Sequence, residues 1–147
     1  MKLENTNKGG PIIVIEDDRE DQEILAEIFD ELNYKNKIVY FSDGEDALKY
    51  LVATDIKPFL ILSDINMPRL SGFELREKIN VNENLNMKCI PYLFFTTTSS
   101  KAAVINAYSK SAQGFFVKPN SYEKLKNTIS KIVEYWQECE APDFTPD

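Results

Sequence analysis

Four short apolar runs punctuate this chain, and each stops at a residue with chemistry of its own. Ile12-Ile13-Val14-Ile15 ends at Glu16-Asp17-Asp18, and Phe59-Leu60-Ile61-Leu62-Ser63 ends at Asp64-Ile65-Asn66-Met67-Pro68. Tyr92-Leu93-Phe94-Phe95 stops at Thr96, and Gly114-Phe115-Phe116-Val117 stops at Lys118-Pro119. Runs without polar alternation suit strands of a parallel sheet covered on both faces. Open α/β sheets bind ligands in the crevice beyond the carboxyl ends of their strands. That rule gathers acids, a hydroxyl and an ammonium into one crevice, although they are scattered from Glu16 to Lys118.

Between the runs, apolar residues recur at helical spacing. Residues 20–32 carry Ile24, Leu25, Ile28, Phe29 and Leu32 on a helix. A short strand, 38–41, leads through the turn Ser42-Asp43-Gly44 into a helix with Ala47, Leu48, Leu51 and Val52, which Lys57-Pro58 breaks. Gly72 to about Asn80 predicts a third helix, and the polar stretch 81–89 reads as a loop. The hydroxyls of 97–100 offer an N-cap for a helix over 100–110. Asn120 or Ser121 caps a last helix, with Tyr122, Leu125, Ile129, Ile132 or Val133, and Trp136 on one face. Five βα units in sequence predict a doubly wound α/β domain with a parallel sheet. Periodicity does not give the strand order. The domain is expected over 11–136, between a polar N-terminal tail, 1–10, and a short C-terminal tail, 137–147.

Composition removes several function classes. A formal net charge of −7 disfavours nucleic acid and anionic membrane surfaces as partners. No run reaches the ~18 apolar residues of a membrane span, and MKLENTNKGG lacks the apolar core of a signal peptide. A cytoplasmic protein is expected. Cys89 and Cys139 form no metal-ligand or redox pattern. Histidine is absent, which excludes a His-based triad, the usual zinc-hydrolase motifs and a phosphohistidine on this chain. A tightly held metal would be bound by oxygen, pointing to Mg²⁺ or Mn²⁺.

Each run end has a chemical reading and a structural one. Asp64 can be a nucleophile toward phosphorus, forming an acyl phosphate, or a simple turn residue. Glu16 and Asp17 facing a third carboxylate make a site that a cation would relieve, or else an acidic helix cap, a part that Asp18 also fits. Lys118 can grip a phosphoryl oxygen or be a solvated surface ammonium. The Lys118–Pro119 bond is a candidate cis peptide. Thr96 is a hydroxyl in the crevice or one member of a capping cluster.

Taken together, Glu16-Asp17, Asp64-x-Asn66-Met67-Pro68-(x)₃-Gly72, Thr96 and Gly114-Phe-Phe-Val-Lys118-Pro119 resemble the receiver domain of two-component response regulators, in the family's order from about residue 11 to 136. The resemblance implies a flavodoxin-like five-stranded sheet with strand order 2-1-3-4-5. It implies that Asp64 accepts a phosphoryl group from a sensor histidine kinase or histidine phosphotransfer protein. Glu16, Asp17, Asp64 and the Asn66 main-chain carbonyl would hold Mg²⁺, with Mn²⁺ as an alternative. Lys118 would contact the phosphoryl oxygens, Thr96 would move to hydrogen-bond the group, and Phe115 would change rotamer with it.

Two departures stand out: Thr97 where the family commonly has a smaller residue, and Phe115 where a Tyr is often found. The longer 81–89 segment resembles a subset of stand-alone receivers, some paired with phytochrome-type kinases. With only residues 137–147 after Trp136, no output domain is expected, so the output should be protein contact. Val104, Ile105, Tyr108 and Phe116, or the Trp136 helix, could support a homodimer. A phosphorylation-independent pseudo-receiver is one alternative. An Asp-nucleophile phosphohydrolase is another, weakened by Asn66 standing where such enzymes need a second Asp.

Overall fold

A computed structural model describes residues 7–142. Residues 1–6 and 143–147 of the two expected tails lie outside the described residues. The apolar runs become β1 (Ile12–Ile15), β3 (Leu60–Ser63), β4 (Tyr92–Thr96) and β5 (Gly114–Val117), joined by β2 (Ile38–Phe41). They form one parallel sheet in the order 2-1-3-4-5. β1, β3 and β4 are buried along their whole length, because each has a strand on both sides and helices above and below. The edge strands β2 and β5 are mostly half-buried.

Strand side chains alternate between two cores. Ile13, Ile15, Ile61, Tyr92 and Phe94 pack under α2 (Gly44–Ala53), α3 (Gly72–Val81), α4 (Glu83–Met87) and α5 (Lys101–Ser109). Ile12, Val14, Leu60, Leu62, Leu93 and Phe95 pack under α1 (Arg19–Leu32) and α6 (Tyr122–Glu138). On α6 the buried residues are Ile129, Ile132 and Val133, with Tyr122, Leu125 and Trp136 at the margin.

Short polar side chains start the helices by accepting otherwise unpaired N–H groups. Asp18 accepts from the Asp21 N–H at 3.0 Å, Ser100 from Ala103 at 3.1 Å and Ser121, rather than Asn120, from Lys124 at 3.2 Å. Ser71 and Glu74 form a reciprocal capping box at the start of α3.

The expected loop over 81–89 is corrected: α3 continues through Val81, and α4 follows at once. Asn82 ends one helix and caps the next, accepting from the Leu85 N–H at 3.0 Å. Leu85 is the single buried residue of α4. Leu85 is buried while Met87, two residues on, is exposed, and one buried residue sets no helical period, so periodicity could not reveal this helix. The Lys118–Pro119 bond is trans, since no peptide among the described residues is cis. No helix among them is long and apolar enough to cross a membrane.

Candidate functional site

β1 and β3 are neighbours in register, with Ile15 beside Ser63, so the residues that follow emerge side by side at one edge of the sheet. The Asp64 N–H donates to the Ile15 carbonyl at 3.0 Å, continuing the ladder one step past the strand. Glu16, Asp17 and Asp64 thus each bring a carboxylate oxygen within 4.8 Å of the others. Glu16 is buried, Asp64 partly so and Asp17 exposed, which leaves the cluster an open side. Three hard oxygen donors with access to water are the donor set that Mg²⁺ or Mn²⁺ takes.

β5 delivers the counter-charge. The Lys118 side chain is 8% exposed; its ammonium donates to Glu16 Oε1 and lies 3.3 Å from Asp21 Oδ2 and 3.5 Å from Asp64 Oδ2. A freely solvated Lys is therefore not what the fold makes of it. Burial pushes the Glu16 carboxyl up to about 7, against the pull of Lys118 and the Asp18 N–H, while the Asp64 charge adds to the rise. Burial also weakens the Lys118 ammonium, but Glu16, Asp64 and Asp21 outweigh it and hold its pKa above the ordinary value.

Asp64 is held from several directions. Its Oδ1 accepts from the Ile65 N–H at 2.7 Å, and its carbonyl accepts from Ser63 Oγ at 2.7 Å. Gly72 closes over that carbonyl, donating its N–H to the Ile65 carbonyl at 2.8 Å; a Cβ there would lie 2.1 Å from the Asp64 oxygen. Only glycine permits so close an approach. Asn66 is exposed on the intervening loop, which Arg69 ties to Asp43 and Asp46, each at 3.0 Å.

Thr96 is 1% exposed at the end of β4, and its carbonyl accepts from the Lys118 N–H at 2.8 Å. Because Ser100 caps α5, capping does not account for the Thr96 hydroxyl. Phe115 is half-buried on β5, its ring 6.3 Å from that of Phe94. The sequence reading missed Asp21, which borders Lys118 from the first turn of α1. Its one signal was an acid three residues past the Asp18 cap.

Residues 12–130 match the response regulator receiver domain family. Relatives include the probable methanogenesis regulatory protein FilR2 of Methanothrix harundinacea, 31% identical over 129 residues, spanning 85% of this chain and 82% of that protein. Response regulator Rcp1 of Synechocystis sp. is 25% identical over 140 residues, spanning 92% and 94%. The solved Mn²⁺-bound form of Rcp1 superposes with a TM-score of 0.77 at 25% identity, over 90% of this chain and 98% of that one. The family match encloses every strand and the whole carboxylate cluster, and on that ground this chain belongs to the response regulator receiver domains of two-component signalling.

Proposed function

We propose that the chain acts as a stand-alone cytoplasmic receiver that takes a phosphoryl group onto Asp64 from the phosphohistidine of a sensor kinase or a histidine phosphotransfer protein. The observation that carries this reading is the placement of the Lys118 ammonium against Glu16 and Asp64, beside a three-carboxylate cluster open on one side. An Asp64 carboxylate oxygen forms the bond to phosphorus as the bond to the donor imidazole nitrogen breaks. Glu16, Asp17, Asp64 and the Asn66 main-chain carbonyl are the residues that would hold Mg²⁺ or Mn²⁺. That cation supplies neutralisation of the phosphoryl oxygens, and the Mn²⁺-bound Rcp1 structure supports its assignment. The chain's own part is positioning and charge, which is most of what phosphoryl transfer requires. It turns over no separate substrate.

A phosphoryl group adds roughly −1.5 to −2 charge at this strand end. Lys118 and the cation offset most of it, and the new acceptor oxygens invite the Thr96 hydroxyl inward. Phe115 follows into the space that movement opens, altering the α5–β5 surface, where Ile105 is 64% and Tyr108 54% exposed. Taking such a switch from about 1% to 99% needs roughly 5.5 kcal/mol of differential stabilisation. A single hydrogen bond contributes about 1 kcal/mol. Contact with a downstream protein, or with a second copy through that surface, supplies the remainder.

The test is intact mass after incubation with Mg²⁺ and acetyl phosphate, with free phosphate read in the same tubes. One added phosphoryl group, lost in Asp64→Asn and with EDTA, is the expected result. Neither added mass nor phosphate release would instead indicate a pseudo-receiver that signals without phosphorylation. Steady Asp64-dependent release would indicate a phosphohydrolase.

A further inference from the structure

A cavity of about 260 Å³ lies at the end of the sheet away from Asp64, below the starts of β3, β4 and β5. Phe59, Ile79, Leu85, Ile90 and Trp136 form its apolar wall. Arg76 of α3 lies on the same wall and is only 7% exposed. Its Nε donates to the Lys110 carbonyl at 3.2 Å, and Nη2 to the Ser111 carbonyl at 2.8 Å. The guanidinium carbon sits 5.4 Å from the centre of the Tyr92 ring.

Among the described residues no carboxylate pairs with Arg76. That is a conspicuous lack in a chain with 24 acids against 17 Lys and Arg. A buried cation is costly unless a counter-charge meets it. A guanidinium carries five N–H donors, and the two bonds to carbonyls leave others without a protein acceptor among the described residues. The remaining charged wall residues, Lys57 and Glu140, cancel in sum and leave one net positive charge, that of Arg76. One buried cation against an aromatic and aliphatic wall complements one anionic head on a flat apolar body. Drug-sized sites occupy about 300–1,000 Å³, so the occupant is smaller than that class.

We propose that this cavity binds a small aromatic monocarboxylate, with Arg76 taking the carboxylate and the wall formed by Phe59, Ile79, Leu85, Ile90 and Trp136 enclosing the ring. The ligand enters on the face opposite the phosphoryl site, so its binding is a property separate from Asp64 chemistry.

The experiment is calorimetric titration of the full chain with indole-3-acetate and with 3-phenylpropionate, each beside its neutral primary amide. Proton–carbon NMR of the same samples locates the contact. Saturable binding of an acid is expected, about tenfold or more tighter than its amide, since a charge-assisted pair is lost in the amide. Arg76→Gln should abolish that discrimination. Because Arg76 also fastens α3 to the 110–111 turn, that variant can fail to fold. Asn86→Trp provides the second arm, filling the cavity mouth from the exposed side of α4, and should weaken acid binding while leaving Asp64 labelling unchanged. No binding at millimolar acid, equal binding of acid and amide, or binding indifferent to Asn86→Trp would each overturn the proposal. Arg76 would then be a structural fastening only.

Discussion

Replacing Gly72 with alanine separates two opposing effects that the structure allows to be weighed. Alanine favours helix over glycine by about 1 kcal/mol, and Gly72 is the first residue of α3 with no positive φ to demand glycine. Propensity alone therefore predicts stabilisation. Against it, the new Cβ would stand 2.1 Å from the Asp64 carbonyl oxygen and 3.0 Å from Phe94 Cε1. Relief needs a movement of about 1 Å between two stretches of backbone pinned to each other. The Gly72 N–H is bonded to the Ile65 carbonyl at 2.8 Å, and the Tyr92 hydroxyl lies 3.1 Å from the Gly72 carbonyl. Overpacking of this kind costs about 1–3 kcal/mol, and a backbone-on-backbone contact belongs at the upper end. The net is a loss of about 2 kcal/mol, which for a chain of this size lowers Tm by about 4–8 °C.

The same displacement moves Asp64 relative to Lys118. A 1 Å misplacement can cost about a hundredfold in a positioned reaction, so labelling by acetyl phosphate should slow by about ten- to a hundredfold. Gly10→Ala is the control, because its Cβ would also lie 2.1 Å from a carbonyl, that of Lys57, far from the site. It should lower Tm comparably while the folded protein labels at the wild-type rate. A Gly72→Ala protein that melts at or above the wild type and labels normally would refute this reasoning.

Other consequences are open to direct measurement. With Glu16 raised by burial from 4.5 to about 7, its proton must leave before a cation is held there, so Mg²⁺ affinity by calorimetry should rise up to about tenfold per pH unit below 7 and level off above. The sign for stability is opposite. A carboxyl whose pKa is raised on folding contributes stability below 4.5 that is lost as pH climbs through 7, so metal-free protein should weaken across that window and Mg²⁺ should flatten the trend. Tyr92→Phe removes a fully buried hydroxyl 2.9 Å from Ser63 Oγ and 3.1 Å from the Gly72 carbonyl, and should cost about 1–2 kcal/mol in urea unfolding. Leu85→Ala should cost at least about 2 kcal/mol, because Leu85 is α4's only buried anchor. A loss near zero would return 81–89 to the irregular loop its composition suggests.

What the sequence made legible was whatever depends on neighbours along the chain. Runs such as Ile12 to Ile15 had to be interior strands, and the hydroxyls of 97–100 and the pair Asn120 and Ser121 announced helix starts, because capping is local chemistry. The strand order came through the resemblance, since periodicity cannot say which strands lie side by side. The site's acids and Lys118 were visible because strand ends converge by topology. Asp21 was not, as its contact with Lys118 depends on where the first turn of α1 comes to lie beside the residue that follows β5. Arg76 escaped for the same reason. A charged residue between Leu75 and Glu77 reads as solvated until carbonyls 34 and 35 residues away are seen to hold it under the surface. Cys89 and Cys139, patternless in sequence, both line one cavity.

Where the phosphoryl group resides is the central question, and borohydride trapping answers it residue by residue. Reduction of an acyl phosphate turns its aspartate into homoserine, which peptide mapping then locates. An acyl phosphate on Asp64 predicts homoserine at position 64 alone, only in samples given both Mg²⁺ and a phosphoryl donor, and none in Asp64→Asn. Homoserine at Asp17, at Asp21 or elsewhere, or a phosphorylated protein with no homoserine at 64, would contradict it.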